Sequence, residues 1–221
     1  MFLSAISPCV QWQGRREGKR AVKQVAVIDY GLGNLRSVMR GLERAGAGVA
    51  ITSDPAEIGA ADGIVLPGVG AFRDGMEMLG DLRATVTSLV GKVPLLGICL
   101  GMQMLAEWSE EHGLHEGLGL VPGGVRRFPA EPGYKVPHMG WNTIRKMRDD
   151  PLFDGLKGEE YVYFVHSYYF DTPPEYIVTE TGYILPFASS VCRGTVYGVQ
   201  FHPEKSGEAG LRILKNFIGM L

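Results

Sequence analysis

Between Gln24 and about residue 112 the chain alternates short β-rich apolar runs with stretches of helical period, and few folds accommodate that alternation. "QVAVID", "GVAIT", "GIVLPG" and "PLLGI" read as strands. "NLRSVMRGLERAG" sets Leu35, Val38, Leu42 and Ala45 on one helical face and stops at Gly46. "PAEIGAAD" reads as a short helical linker, "FRDGMEMLGDLRATVTSLV" as helical through its glycines, and "LGMQMLAEWSEEH" as a further helix. Strands joined through helices need right-handed crossovers, which produce a parallel sheet covered on both faces. The second half changes character. "GLVPGGVRRF", "VPHMGWNTIRK", "YVYFVHSYYF", "EYIVTETG", "FASSVCRG" and "TVYGVQF" are strand-like runs separated by turn residues, and "GEAGLRILKNFIGML" closes the chain as an amphipathic helix. The expected fold is α/β: a mixed, mainly parallel sheet flanked by helices, with antiparallel additions in the second half.

A length of 221 residues and a hydrophobic content of 45% suit one sizeable core. The expected organisation is one domain over residues 24–221, preceded by a loosely ordered extension over residues 1–23. In that extension a short apolar stretch precedes Arg15, Arg16, Lys19, Arg20 and Lys23, the reverse of a secretory signal and too short for a membrane span. A net charge of −2 gives no electrostatic footprint for nucleic acid or an acidic membrane surface, so neither is an expected partner. Cys9, Cys99 and Cys192 are widely spaced, with neither a disulfide framework nor a CxxC pair, which fits a reducing, cytoplasmic setting. The histidines are scattered without acid-rich company, so no metal site is expected, and no cofactor.

In "LLGICLGMQML" Cys99 stands at a strand-to-helix junction with Gly97 and Gly101 two residues away on either side. A core cysteine packs as a small hydrophobe and needs no such neighbours. A turn that forces the central side chain outward crowds its flanks, and glycines relieve the crowding; G-x-C-x-G is the thiol version of the nucleophile elbow. A thiol there also meets the positive end of a helix, which favours thiolate.

A thiolate nucleophile needs a proton shuttle. His112 and His115, in "SEEHGLHEG", read as a polar helix end and its loop; His138 and His166, inside strand-like runs, read as hydrogen-bonded structural residues. His202 ends the strand of "VYGVQFHPEKSG", with Pro203 next and Glu204 two residues on. A residue before proline is pushed to extended geometry, where positions i and i+2 share a side, so the Glu204 carboxylate can reach the His202 ring. Cys99, His202 and Glu204 form a candidate catalytic triad. In "VLPGVGAF" the glycines around Val69 allow a turn whose N–H groups, of Val69 and Gly70, point into the crevice at the carboxyl ends of the strands. With the N–H of Leu100 they could hold an oxyanion. The loop lacks the spacing of a nucleotide-binding fingerprint.

Together "PGVG", "GICLGMQ" and "FHPE" resemble the oxyanion strand, the nucleophile elbow and the His/Glu pair of the class I, triad-type glutamine amidotransferases, whose fold is flavodoxin-like. Within that family "IDYGLGNLRSV", "PGVGAF", "KVPHMGWN", "YFVHSYYF" and "QFHPEKSG" make residues 24–221 similar to the branch of glutaminase subunits that serve a cyclase of histidine biosynthesis. The first 23 residues depart from it. The resemblance implies hydrolysis of L-glutamine by Cys99, His202 and Glu204, with the substrate held at Gly68, Gly70, Gln103, Ser167 and Tyr168. It further implies a heterodimer with a (β/α)8-barrel cyclase that uses the ammonia to make imidazole glycerol phosphate and AICAR from PRFAR. Glutaminase activity would then stay nearly silent until the partner and its ligand bind, with a shift around Val69 completing the oxyanion hole. Asn34, Trp141, Tyr163 and Lys205 are the expected partner contacts. The alternatives are another class I amidotransferase, or a binding module with an inactive triad. A peptidase-like relative would carry histidine after the nucleophile, where this chain has Leu100.

Overall fold

The structure is a computed structural model and describes residues 22–221. The extension over residues 1–23 thus falls almost wholly outside the described residues, and so does any pairing of Cys9. The first half runs β1 (Gln24–Ile28), α1 (Leu35–Ala45), β2 (Gly48–Thr52), α2 (Pro55–Ala60), β3 (Gly63–Gly68), α3 (Phe72–Leu79), α4 (Leu82–Leu89), β4 (Leu95–Cys99) and α5 (Leu100–Met104). The second half runs β5 (Trp108–Ser109), β6 (His115–Glu116), β7 (Gly124–Arg127), β8 (His138–Lys146), β9 (Glu159–His166), β10 (Tyr168–Asp171), β11 (Ile177–Gly182), β12 (Pro186–Arg193), β13 (Val196–Val199) and α6 (Gly207–Gly219).

Strands β2-β1-β3-β4-β13 pair in that order, all parallel. Beyond β13 the pairing turns antiparallel through β12, β10 and β7, and a branch from β12 through β11 and β8 ends at β9. Every residue of β3 and β4 is buried, because helices cover both faces. Successive residues then serve opposite sides: Val25 and Val27 pack with Val38, Leu42, Leu214 and Phe217 of α1 and α6, whereas Ala26 and Ile28 pack with Ile58, Met76, Val86 and Met102. Among the described residues no helix is long and apolar enough to cross a membrane.

Three segments depart from expectation. The stretch read as one helix from Phe72 is two, because Gly80 adopts φ 46 and ends α3. The helix after Cys99 stops at Met104 rather than running on to residue 112. The carbonyls of Leu105 and Ala106 accept from the N–H groups of Leu120, Val121 and Gly119, and Trp108–Ser109 pairs with β6 and β7. Tertiary hydrogen bonds therefore override a helix-compatible pattern. His112 is accordingly an exposed turn residue with φ 56, and His115 lies in a short strand. Finally, "YVYFVHSYYF" is interrupted at Ser167: β9 pairs with β8, while β10 joins β7 and β12.

Candidate active site

Cys99 is the last residue of β4 and caps α5 with φ 55 and ψ −110, a conformation that costs a side-chain-bearing residue about 1–3 kcal/mol. The surroundings enforce it. A Cβ on Gly101 would lie 1.8 Å from the Leu66 carbonyl oxygen, and one on Gly97 would lie 2.7 Å from the Gly101 carbonyl oxygen. Gly68 pairs with Cys99 across β3 and β4, and a Cβ there would meet Tyr30 Oη at 2.5 Å and Leu100 Cβ at 2.9 Å. Tyr30 Oη donates to the Pro67 carbonyl at 2.6 Å, which fixes the end of β3. Beyond that anchor Val69 is exposed and Gly70, at φ 100, has open space around it.

His202 follows β13 in extended geometry, and Glu204 sits in the single 3₁₀ turn that begins at Pro203. The Nδ1–H of His202 donates to Glu204 Oε1 at 2.9 Å, with the side chains only 3% and 1% exposed. A backbone bond from His202 N–H to the Tyr163 carbonyl (2.9 Å) and a side-chain bond from the Ser206 hydroxyl to the His202 carbonyl (2.6 Å) hold the residue in place. Burial opposes charge on the ring, but the neighbouring Cys99 and Glu204 outweigh it and raise its pKa to about 9. The other ring nitrogen, Nε2, is buried without a conventional hydrogen bond, yet Cys99 is near enough to favour the imidazolium. The arrangement sets a nucleophilic sulfur beside a ring that can take up its proton.

Cys99 and His202 open into one cavity of about 260 Å³, enough for a free amino acid. Val69, Gly70, Leu100, Gln103, Ser167 and Tyr168, all singled out in the sequence, line it too. Gly68 lies behind the elbow and Glu204 behind His202. Glu111, Pro137, Val165 and His166 also line the cavity and were not among the candidates. Glu111 lies inside the stretch whose pattern reads as helix; its Oε2 accepts from the Phe72 N–H at 2.7 Å.

The Tyr168 carbonyl, just past the break between β9 and β10, organises the floor. It accepts from His166 Nδ1 at 2.8 Å and from Gln103 Nε2 at 3.0 Å. A carbonyl only accepts, so His166 carries its proton on Nδ1, its Nε2 accepts from His138 Nδ1 (3.0 Å), and His138 Nε2 accepts from Asn142 Nδ2 (3.2 Å). Burial lowers the pKa of His138 to about 4 and that of His166 to about 3, so both rings are neutral spacers rather than proton carriers at neutral pH. Gln103 Nε2 also donates to Gln200 Oε1 at 3.0 Å. Both amide hydrogens of Gln103 are then committed, leaving its oxygen as an acceptor. Gln200 carries no motif of its own in the sequence, although in an extended chain it lies on the same side as His202, two residues on. Among the described residues no group of three or more His, Cys, Asp or Glu side chains could hold a metal ion.

On the outer face of β8 and β9, Trp141 pairs with Tyr163, their rings 6.1 Å apart at 74°. Lys205 Nζ lies 5.7 Å from the centre of the Tyr163 ring. Trp141 is 56% exposed, and Met139 and Tyr161 extend the exposed strip. Val165, two residues past Tyr163, carries it to the cavity rim. Asn34 stands apart from this cluster in sequence, exposed at the start of α1.

Residues 26–220 match the model of the family described as "Glutamine amidotransferase class-I". The chain is 55% identical over 203 residues to "Imidazole glycerol phosphate synthase subunit HisH" of Methanosarcina mazei, covering 90% of this chain and 100% of that protein. It is 50% identical over 197 residues to the HisH protein of Archaeoglobus fulgidus, covering 89% and 98%. Among solved structures, "Structure of PurLQS from Thermotoga maritima" aligns with a TM-score of 0.71 at 18% identity, over 90% of this chain and 98% of that one. The crystal structure of a glutamine amidotransferase from Thermotoga maritima aligns at 0.60 with 21% identity, over 86% and 80%. At those identities the two structures speak for the fold alone.

Proposed function

The chain belongs to the class-I glutamine amidotransferase family, and on that premise we propose that it is the glutaminase subunit of an imidazole glycerol phosphate synthase. Cys99 attacks the side-chain carboxamide of L-glutamine as the thiolate. The N–H groups of Val69, Gly70 and Leu100 receive the developing oxyanion. His202, held in one tautomer by Glu204, protonates the departing ammonia, then activates the water that cleaves the γ-glutamyl thioester. Gly70, Gln103, Ser167 and Tyr168, which line the cavity, hold the substrate, and Gly68, buried behind the elbow, leaves room for it without lining the cavity. The acceptor oxygen of Gln103 and the carboxylate of Glu111 suit a donor such as the α-ammonium group. The observation that carries this reading is the buried 2.9 Å His202–Glu204 bond opening, with Cys99, into one amino-acid-sized cavity.

Ammonia passes to a partner cyclase with a (β/α)8 barrel, which docks on the strip of Trp141, Tyr163 and Lys205, with Asn34 at its margin. Residues 24–221 are the amidotransferase unit. Incubation with glutamine, alone and with the cyclase and its nucleotide substrate, tests the proposal through glutamate formation. Slow turnover alone, a large rise in the complex and loss on Cys99→Ala are expected. Glutamate formation that survives Cys99→Ala would overturn the assignment, and full activity without a partner would move the chain to another branch of the family.

A further inference from the structure

We propose that Gln200 is a catalytic residue of this site, donating a hydrogen bond from its side-chain amide to the Cys99 sulfur and holding the thiolate in line for attack. The proposal rests on Cys99 being the nucleophile and adds a partner for it outside the triad. Gln200 is fully buried, and its Nε2 lies 3.8 Å from Cys99 Sγ. The orientation of a glutamine amide follows from its hydrogen-bond network, and here a backbone carbonyl fixes the whole network. Tyr168 O can only accept, so the Gln103 atom facing it is the NH2 group. That same NH2 meets Gln200 at 3.0 Å, so the Gln200 atom facing it is Oε1. The atom left for Cys99 is therefore the Gln200 NH2. Reversing either amide would set oxygen against oxygen or nitrogen against nitrogen.

Besides the His202 ring, the sulfur's other polar contact at comparable range among the described residues is the Val165 carbonyl at 3.9 Å, which can accept from a thiol but offers nothing to a thiolate. The two contacts divide the work. Val165 O suits the protonated state, and the Gln200 amide suits the anion. A neutral donor raises no competing charge, and it stays in place when His202 gives up its proton to the leaving group.

The test follows alkylation of Cys99 by iodoacetamide against pH, read by mass spectrometry on the Cys99 peptide so that the other cysteines do not interfere. Glutamine is absent, so failure here is distinguishable from failure of the glutaminase reading. Gln200→Leu should move the alkylation midpoint up by about one pH unit, roughly a tenfold loss of rate at pH values well below the midpoint. Gln200→Glu, which keeps an acceptor for Gln103 but turns a carboxylate oxygen on the sulfur, should move it further. Glutaminase kcat should fall with the midpoint shift, and in Gln200→Glu, which keeps the acceptor for Gln103, KM should change little. Unchanged midpoints in folded variants would overturn the proposal. If neither variant folds, the unsubstituted protein decides: the Gln200 side-chain amide resonances should titrate with the alkylation midpoint and cease to do so in Cys99→Ala. Resonances that ignore the pH of Cys99 ionisation would contradict it.

Discussion

At the scale of single residues, two glycines that look alike in the sequence are required for different reasons. Gly101 lacks room: its Cβ would sit 1.8 Å from the Leu66 carbonyl oxygen. Gly70 has room, with nothing within 4 Å, but needs φ 100. Gly101→Ala should therefore destabilise by about 3 kcal/mol or more in denaturant unfolding, and Gly70→Ala by about 1–2 kcal/mol. Equal effects would mean that the elbow is looser than its contacts indicate. The histidines make a second prediction. His202, raised to about 9, contributes stability that is complete below pH 6.5 and vanishes as pH climbs to about 9. His138 and His166, lowered to about 4 and about 3, contribute stability that is complete above pH 6.5 and vanishes as pH falls through those values. Unfolding free energy should fall on both sides of neutrality, and Glu204→Gln should flatten the alkaline arm while leaving the acid arm.

At the scale of elements, the turn that carries Glu204 is set by the helices around it. Gly210 of α6 lies under that turn, where a Cβ would come within 1.9 Å of the Pro203 carbonyl oxygen. Gly210→Ala should lower glutaminase kcat severalfold, with little change in KM, by displacing the turn from below. A variant that lost stability yet kept full kcat would show that the turn is positioned otherwise. Local chemistry made the elbow legible in the sequence: G-x-C-x-G states a steric requirement, and His-Pro-Glu at a strand end states a direction. The alternation of β1 to β4 with helices was legible because both faces are buried. The early end of α5 was not, because the bonds that stop it come from Gly119, Leu120 and Val121, which no helical pattern reveals. Gln200, Glu111 and the partnership of His138 with His166, two residues that each read as a hydrogen-bonded strand residue, were hidden for a related reason. Each owes its place to a partner between 28 and 97 residues away.

At the scale of the molecule, the sheet joins a parallel half that supplies the thiol to an antiparallel half that supplies Ser167, Tyr168 and the exposed strip. The backbone of Tyr163 bonds to His202, so the face carrying Trp141 is one hydrogen bond from the proposed base. Trp141→Ala should weaken association with the cyclase by tenfold or more while changing unfolding stability by less than about 1 kcal/mol, as suits an exposed anchor. The opposite ranking, measured by titration and by denaturation, would make Trp141 a packing residue. The central claim is that one cavity presents the Cys99 sulfur to glutamine. An electrophilic diazoketone analogue of glutamine tests it directly, with adducts located by peptide mass spectrometry. The account predicts a single adduct, on Cys99, suppressed by excess glutamine and lost in His202→Asn; an adduct elsewhere, or one that glutamine does not suppress, would contradict it.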